Sequence, residues 1–271
     1  MKKNTEEDWA HKFFVKYPEL YLPILERNKA KAKKEAIQLD KLFRKHNVMP
    51  GSKILDFSCG IGRHSVNLVK LGYEVVGYDP SPYYINEARQ LAKRLSGSEG
   101  RIRFYEGDPM NAVEVLNNHQ DTDFAGIILM EASHGYFSEV EDIEMFNDLF
   151  EVAKEGCVLI VESENRDYTL KNFRSNIHHD FKKYHIDETW HFNYETSISE
   201  GECIYYYKES NENLRLILEL DTRLRLYSLH ELIRIIQSAG WTFKKCYGNL
   251  MKIEKPKYDS ADLITVSEKR L

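Results

Sequence analysis

One stretch, residues 53–64, constrains the fold of this chain more than any other. It reads KILDFSCGIGRH: a short apolar run, a turn with two glycines, and then the start of a helical pattern. Ile54, Leu55 and Phe57 predict a buried strand. A strand that turns directly into a helix leaves backbone N–H groups above the sheet edge, and glycines let a ligand lie against them. The stretch therefore predicts a ligand site beyond the first strand of a sheet.

The segments around this stretch alternate between strand and helix patterns. Strands are predicted at 53–57, 74–78, 102–106, 124–130, 157–161, 241–247 and 263–267, and helices at 63–71, 83–94, 112–116, 140–153 and 229–239. Ser228 and Glu231 fit a capping box that opens the last helix. Such alternation favours right-handed crossovers and parallel strands. We predict an α/β fold with a doubly wound, mostly parallel, seven-stranded Rossmann-like sheet.

Two segments fall outside this alternation. Residues 9–25 are rich in aromatic side chains at a spacing typical of a helix, and a Lys-rich helix follows at 28–43, with Ala30, Ile37 and Phe43 inward. Residues 165–227 are polar and aromatic, with strand patterns at 189–196, 203–208 and 214–226 and a hairpin connection at 211–213. We expect four regions: an N-terminal helical cap (1–48), a cofactor-binding core (49–164), an antiparallel insertion that serves as a substrate lid (165–227), and the remainder of the core sheet (228–271).

Charge and cysteine content limit the classes of partner. The 271 residues include 38 basic and 43 acidic side chains, a net charge of −5, which does not favour nucleic acid or an anionic membrane. The four cysteines are far apart and form no CxxC pair, so we expect a reduced, cytoplasmic protein without disulfides or bound metal. His178 and His179 are predicted to be exposed in a polar loop. No run of transmembrane length occurs, and 96–100 reads as a loop.

Polar residues follow the strands of the predicted sheet. Asp56 and Gly60 lie at the end of the first strand, Asp79 ends the second, Asp108 follows the third and Glu131 the fourth. In open parallel sheets the ligand lies beyond these carboxyl ends. Asp79 comes 23 residues after Asp56, and a carboxylate there is able to accept hydrogen bonds from both hydroxyls of a ribose. The pattern predicts an adenosine-type ligand.

Two adenosine ligands compete for this site. A dinucleotide favours G-x-G-x-x-G, but Ser58 occupies the first glycine position and the third glycine, near Ser65, is absent. A carboxylate beside the turn, at Asp56, repels a pyrophosphate and suits a ligand with an ammonium or sulfonium charge. A nicotinamide-dependent oxidoreductase stays the alternative.

The chain resembles the class I S-adenosylmethionine-dependent methyltransferases. The matching pieces are ILDFSCGIG, VVGYDPS, YEGDPM, IILMEASHGYF and EGCVLIVESENRDY, which follow the family's order over residues 53–168, and RLYSLHEL extends the match. One departure is Ser58 in place of the usual first glycine. The resemblance implies S-adenosyl-L-methionine as cofactor and a methyltransferase activity.

The resemblance also assigns roles to individual residues. The backbone around Ser58 and Gly60 passes the methionine part of the cofactor, with Gly62 in the same turn, and Asp56 orients its amino group. Asp79 holds the ribose hydroxyls and Asp108 the adenine amino group. The remaining cofactor contacts are Pro80 and Met110, which flank the adenine ring, and Glu131, which follows the fourth strand.

Methyl transfer from a sulfonium is an in-line displacement, so the protein must align donor and acceptor and exclude water. His134 is the candidate base or orienting group, because an imidazole titrates near neutral pH; a histidine bonded to loop backbone is the alternative. Tyr21, His134 and Tyr136 are predicted to contact the acceptor. We expect transfer to nitrogen or oxygen of a small molecule, by a monomer or homodimer. Methylation of RNA or protein, or cofactor binding without turnover, stays open.

Overall fold

The computed structural model of the protein describes residues 8–95, 100–131, 133–210, 213–257 and 259–270. These residues form a seven-stranded sheet flanked by helices and a separate four-stranded antiparallel sheet. The predicted loop at 96–100 and the hairpin connection at 211–213 lie largely outside the described residues. Within the described ranges, no helix has the length and apolar character needed to cross a membrane.

The seven-stranded sheet has the order β10-β11-β5-β4-β1-β2-β3. Its strands are β1 (Lys53–Phe57), β2 (Glu74–Asp79), β3 (Ile102–Glu106), β4 (Phe124–Leu129), β5 (Ala153–Glu164), β10 (Thr242–Tyr247) and β11 (Asp262–Glu268). The helices are α1 (Trp9–His11), α2 (Leu22–Lys45), α3 (Arg63–Lys70), α4 (Pro82–Lys93), α5 (Ala112–Asn118), α6 (Glu139–Val152), α7 (Arg166–Lys171) and α8 (Leu229–Ser238). The predicted fold class is confirmed.

The strand order fixes where a ligand site can form. β1 pairs in parallel with both β2 and β4, so the chain builds the sheet outward from β1 first on one side and then on the other. Only β11 runs antiparallel to its neighbours β5 and β10 within the described part of the sheet. The order reverses between β1 and β4, and the crevice above such a reversal is where open α/β sheets bind ligands.

The four-stranded sheet contains β6 (Asn176–Asp180), β7 (Tyr184–Asn193), β8 (Ile198–Lys208) and β9 (Leu214–Arg225). One face, including Ile186, Cys203 and Tyr205, packs against Phe13 and Leu20 of the N-terminal segment. The edge strand β6 was absent from the sequence prediction, because its residues NIHHD carry no hydrophobic alternation. The strand predicted at 189–196 begins earlier and ends at Asn193.

The N-terminal segment differs from the expected helical stripe. It consists of α1, a π-helical turn Lys12–Lys16 and a 3-10 turn Pro18–Leu20, followed by α2. Pro18 has no N–H to donate, so a single α-helix cannot run through this position. The expectation that Ala30 and Ile37 face inward is wrong: both side chains are exposed, and Glu35 of the same helix is buried instead.

Candidate functional site

A cleft lies over the carboxyl ends of the central strands, beneath the N-terminal segment. Many of the residues predicted from the sequence line it: Ser58, Gly60, Asp79, Pro80, Asp108, Glu131, Tyr21 and Tyr136. Four others, Asp56, Gly62, Met110 and His134, are absent from the lining. The sheet brings together residues that are up to 73 positions apart in the sequence, from Ser58 to Glu131, because parallel strands end at the same edge. Tyr21 reaches the cleft from the N-terminal segment.

The turn after β1 holds its backbone in the left-handed region. Ser58 has φ +58°, Gly60 +53° and Gly62 +71°. A serine in this region is uncommon, and non-glycine residues so held cluster at functional sites. Gly62 serves packing instead of the cleft, since a Cβ there would lie 3.0 Å from both Ala88 and Phe104. Ser58 and Gly60 therefore present bare or nearly bare backbone to the cleft.

Asp79 is fixed by two backbone donors. Gly60 N–H donates to Oδ2 at 2.8 Å and Ser81 N–H donates to Oδ1 at 2.9 Å. The carboxyl is buried, and burial raises its pKa to about 6 despite these two hydrogen bonds. Each carboxylate oxygen has two lone pairs, so both oxygens keep an acceptor site. The group has the geometry to receive a vicinal diol.

Asp108 lies at the start of a 3-10 turn after β3 and accepts a hydrogen bond from Met110 N–H at 2.8 Å. The Met110 side chain packs against the hydrophobic core on one side of the sheet, and Pro109 lines the cleft in its place. The resemblance predicted Met110 at the cofactor, whereas the structure has its neighbour Pro109 in the cleft lining.

Asp56 lies under the turn. It accepts a hydrogen bond from Ser65 Oγ at 2.5 Å, and burial raises its pKa. Ser65 belongs to α3, so this bond ties the end of β1 to the first turn of the next helix. Asp56 acts on the geometry of the turn in this structure, and it does not face the cleft directly.

Glu131 belongs to a network that the sequence did not reveal. Its backbone has φ +61°, and its carboxylate lies 2.7 Å from Arg63 and accepts from Asn28 at 2.6 Å. Buried Arg63 also contacts Glu35 at 2.8 Å. Although burial opposes it, the hydrogen bond from His64 and the charges of His64, Arg63 and Lys31 hold the pKa of Glu35 at about 2. The network joins α2 and α3 to the end of β4.

Aromatic rings close one side of the cleft. Phe14 lies 5.5 Å from Tyr21 and 5.7 Å from Tyr136, measured between ring centroids. Trp9 contacts Tyr136 edge-on at 5.4 Å. Burial raises the pKa of Tyr21 to about 12 and that of Tyr136 still further, so both phenols are neutral at physiological pH. These rings form an apolar wall whose polar tips are protonated hydroxyls.

His134 lies behind the cleft wall. Its ring is 5.8 Å from the ring of Tyr227 and 6.4 Å from that of Phe146, and neither nitrogen has a hydrogen-bond partner among the described residues. Burial lowers its pKa to about 4. The imidazole is therefore neutral near pH 7 and apart from the cleft surface, which does not support the predicted role as a base or acceptor contact.

A second, acidic cleft adjoins the first and shares Glu131 with it. Its other lining residues include Lys31, Glu162, Glu164 and Asp262. Glu162 accepts a hydrogen bond from Glu131 N–H at 3.1 Å, and burial together with the charge of Asp262 raises its pKa to about 7. A cleft with this charge favours cationic or amine groups.

Comparison with known proteins identifies the domain. Residues 54–156 match the family model described as a methyltransferase domain. The 23S rRNA (uracil(1939)-C(5))-methyltransferase RlmD of Shewanella sp. (strain ANA-3) is 41% identical over 59 residues, 22% of this chain and 13% of that protein. The mitochondrial ubiquinone biosynthesis O-methyltransferase of Schizosaccharomyces pombe is 32% identical over 98 residues, 32% of this chain and 36% of that protein. The chain thus spans about a third or less of the length of these curated relatives.

Solved structures share the fold over nearly the whole chain. An S-adenosylmethionine-dependent methyltransferase from Clostridium acetobutylicum has a TM-score of 0.74 at 16% identity, covering 94% of this chain and 98% of that chain. The sugar N-methyltransferase KedS8 from Streptoalloteichus has a TM-score of 0.65 at 15% identity, covering 92% and 93%. The chain therefore contains a methyltransferase domain in residues 54–156 and shares the fold of S-adenosylmethionine-dependent methyltransferases over nearly its whole length.

Proposed function

We propose that the protein transfers a methyl group from S-adenosylmethionine to a nitrogen or oxygen atom of a small molecule. The observation that carries this proposal is the meeting of Asp79, Asp108 and the Ser58–Gly60 turn in one cleft at the strand-order reversal. The lining fits the cofactor: the carboxylates of Asp79 and Asp108 suit a ribose diol and an adenine amino group, and among the described residues no Lys or Arg lines the cleft for a pyrophosphate.

When bound, the cofactor supplies a methyl group attached to a sulfonium, and the sulfur part is the leaving group, a neutral thioether. The chain's own residues bind and align it. Asp79 receives the ribose hydroxyls on its free lone pairs, and Asp108 accepts from the adenine amino group. Pro80 and Pro109, which both line the cleft, would hold the adenine ring. The backbone around Ser58 and Gly60 leaves room for the methionine chain, and Asp56 holds that turn in shape through Ser65.

The aromatic wall serves the acceptor. Tyr21 and Tyr136, with Phe14 between them, exclude water from the path of transfer and contact the acceptor's apolar surface. No base is assigned to His134, because it lies behind the wall with a pKa of about 4. A neutral amine needs no base before attack, since its lone pair is free and the proton leaves afterwards. The neighbouring acidic cleft attracts an amine in its ammonium form, which must lose a proton before it attacks.

Two observations support a small acceptor over a macromolecule. The N-terminal segment, which packs against the four-stranded sheet, covers one side of the cleft, and Ala10, Phe14 and Tyr21 line it from that side. The sugar N-methyltransferase KedS8 has the same fold with similar coverage. The RlmD match favours RNA as a second candidate, but it covers 59 residues and the chain has a net charge of −5.

A thermal-shift panel tests the cofactor. S-adenosylmethionine and S-adenosylhomocysteine should raise the melting temperature, since a ligand that binds only the folded state stabilises it, whereas NAD should not. Stabilisation by NAD alone would overturn the proposal. Incubation with methyl-labelled S-adenosylmethionine and a metabolite extract, with total RNA in a parallel sample, then identifies the acceptor. Label in RNA alone would contradict the small-molecule assignment.

A further inference from the structure

The outer face of the four-stranded sheet carries a cluster of histidine and aspartate side chains. His178 on β6 lies directly opposite Asp187 on β7, and Asp180 lies opposite His185, so all four side chains project from one face. This face is opposite to the one that Ile186 buries against the N-terminal segment. The cluster is therefore remote from the cofactor cleft and unrelated to the proposed methyl transfer.

Three of these residues point ligand atoms at a common centre. His178 Nδ1 lies 2.6 Å from Asp187 Oδ1, and His185 Nε2 lies 3.0 Å from the same oxygen. One ligand atom from each residue falls within 4.8 Å of the others. Around a tetrahedral Zn²⁺, with bonds of about 2.0–2.1 Å, ligand atoms are separated by roughly 3.4 Å. Small movements of the exposed His178 ring would match that spacing.

A second observation concerns the other nitrogen of His185. Its Nδ1 lies 3.1 Å from Asp180 Oδ1, and Asp180 in turn contacts Lys208 of β8. Metal-binding histidines commonly donate the distal N–H to a carboxylate, which fixes the tautomer and the ring orientation. His185 is already oriented in this way, with Nε2 toward the centre.

We propose that His178, His185 and Asp187 form a binding site for a late first-row divalent cation, with Zn²⁺ the best match, and that Asp180 is a positioning residue for His185. Two imidazoles and one carboxylate suit Zn²⁺ better than Mg²⁺ or Ca²⁺, which prefer oxygen ligands. The ion replaces the protons shared between these side chains, which leave to solvent, and water completes the coordination.

The location indicates what the ion does. β6 is an edge strand of five residues, held to the sheet only through β7 among the described strands. An ion bound by residues of both strands joins them across the ladder and raises the free energy of opening the edge. The site is therefore structural: it stabilises the four-stranded sheet, and we expect no effect on chemistry in the cofactor cleft.

Titration of the tag-free, chelator-treated full chain with ZnCl₂ by calorimetry tests the proposal. We expect one Zn²⁺ per chain, and at least tenfold weaker binding in His178→Ala and in His185→Ala. Asp180→Asn should weaken binding by about 10- to 100-fold while keeping the stoichiometry, as expected for a group that orients a ligand. His179→Ala is the matched control, because this neighbouring histidine projects from the opposite face and should leave Zn²⁺ affinity unchanged.

Two further measurements distinguish specific coordination by these side chains from adventitious binding at the surface. CoCl₂ should give the visible absorption of a four- or five-coordinate ion, and this spectrum should vanish in His178→Ala. Hydrogen exchange of residues 176–187 should slow when Zn²⁺ is added to the wild-type chain but not to His185→Ala. Absence of saturable binding, equal affinity in all variants, or equal weakening by His179→Ala would overturn the proposal.

Discussion

At the scale of single residues, Asp79 has the most demanding position in the cleft. Its two oxygens already accept from Gly60 and Ser81, and the proposed diol adds two hydrogen bonds to the same carboxylate. Hydrogen bonds to a charged group contribute about 1.5–3 kcal/mol each. We therefore expect Asp79→Ala to weaken S-adenosylhomocysteine binding by about 100-fold or more, as measured by calorimetry.

The controls for this variant address folding and charge. Asp79→Asn keeps one oxygen acceptor but turns the other position into a donor, so it should also weaken binding while preserving more of the turn. Asp221→Ala removes an exposed carboxylate of β9, remote from the cleft, and should bind normally. A folded Asp79→Ala protein with wild-type affinity would refute the ribose contact.

The raised pKa of Asp79 gives ligand binding a pH dependence. Burial raises this pKa to about 6, so the carboxylate ionises above that pH and is protonated below it. A protonated carboxyl loses acceptor capacity toward a diol. The affinity for S-adenosylhomocysteine should be constant from pH 7 to 8 and fall below pH 6, approaching about tenfold per pH unit. Calorimetry from pH 5 to 8 measures this, and a flat profile would contradict it.

The predictability of the site also varies from residue to residue. Asp79, Asp108 and Glu131 were found from the sequence because each follows a strand, and strand ends meet at one edge. Glu35 was not found from the sequence, because its Lys-rich helix predicts a solvated face. No residue near Glu35 in the sequence indicates that Arg63 and His64 contact it in the fold. Ion-pair partners that meet only because α2 packs on α3 produce no periodic pattern in the sequence.

At the scale of elements, a buried carboxylate ties α6 to the end of β9. Asp142 accepts from Tyr227 Oη at 2.6 Å and from Gly135 N–H at 3.1 Å. Burial raises the pKa of Asp142 to about 6, because the ionised carboxylate loses its contact with water. The hydrogen bonds from Tyr227 and Gly135 partly replace that contact and so stabilise the folded protein. Tyr227→Phe removes one donor from this buried group and should destabilise the protein by about 1–3 kcal/mol.

Chemical denaturation at pH 7.5 measures this loss. Tyr194→Phe is the matched control, because Tyr194 is 81% exposed and its hydroxyl is in water. We expect the control to change the free energy of unfolding by less than about 0.5 kcal/mol. Equal effects of the two substitutions would show that the Tyr227–Asp142 hydrogen bond contributes nothing to stability.

The N-terminal segment is expected to close over the ligand. Phe14 and Tyr21 line the cleft from a π-helical turn and the start of α2, and short turns of this kind open more readily than long helices. S-adenosylhomocysteine should slow hydrogen exchange of residues 9–21, whereas residues 176–187 of the remote β6–β7 edge should exchange at an unchanged rate. Equal protection of both regions, or of neither, would contradict the closing role.

Elements differ in how well the sequence predicts them. The central strands and the Ser228–Glu231 capping box were found because buried parallel strands are apolar throughout and caps use few residue types. The helix predicted for the N-terminal segment is wrong, because the prediction relied on the spacing of aromatic residues and disregarded Pro18. Strand β6 was not predicted, because its polar side chains belong to an exposed edge. Hydrophobic sequence patterns reflect burial, so elements that are only weakly buried are not predicted from them.

At the scale of the whole molecule, buried carboxyl groups set the pH of greatest stability. Burial raises the pKa of Asp79 and of Asp142 to about 6 and that of Glu162 to about 7. Between about pH 4 and 7 these three carboxyls therefore bind more protons in the folded chain than in the unfolded chain, and their contribution to stability falls as pH rises. Buried His134, whose pKa is lowered to about 4, acts in the opposite direction below about pH 6.5. Glu35, whose pKa is lowered to about 2, acts oppositely: its contribution is present above about pH 4.5 and is lost in stronger acid.

These opposing groups predict that the ligand-free protein melts at a higher temperature near pH 5 than at pH 8. Glu162 contributes most to the fall at high pH, because it must ionise while buried beside Asp262. Glu162→Gln keeps an oxygen to accept from Glu131 N–H and removes the buried charge, so it should raise the melting temperature at pH 8 by about 2–4 °C for each kcal/mol gained. Scanning calorimetry from pH 4.5 to 8 measures both effects. Glu155→Gln, at an exposed position, should reproduce the wild-type profile, and a Glu162→Gln profile parallel to wild type would show that this carboxyl is not the group that titrates.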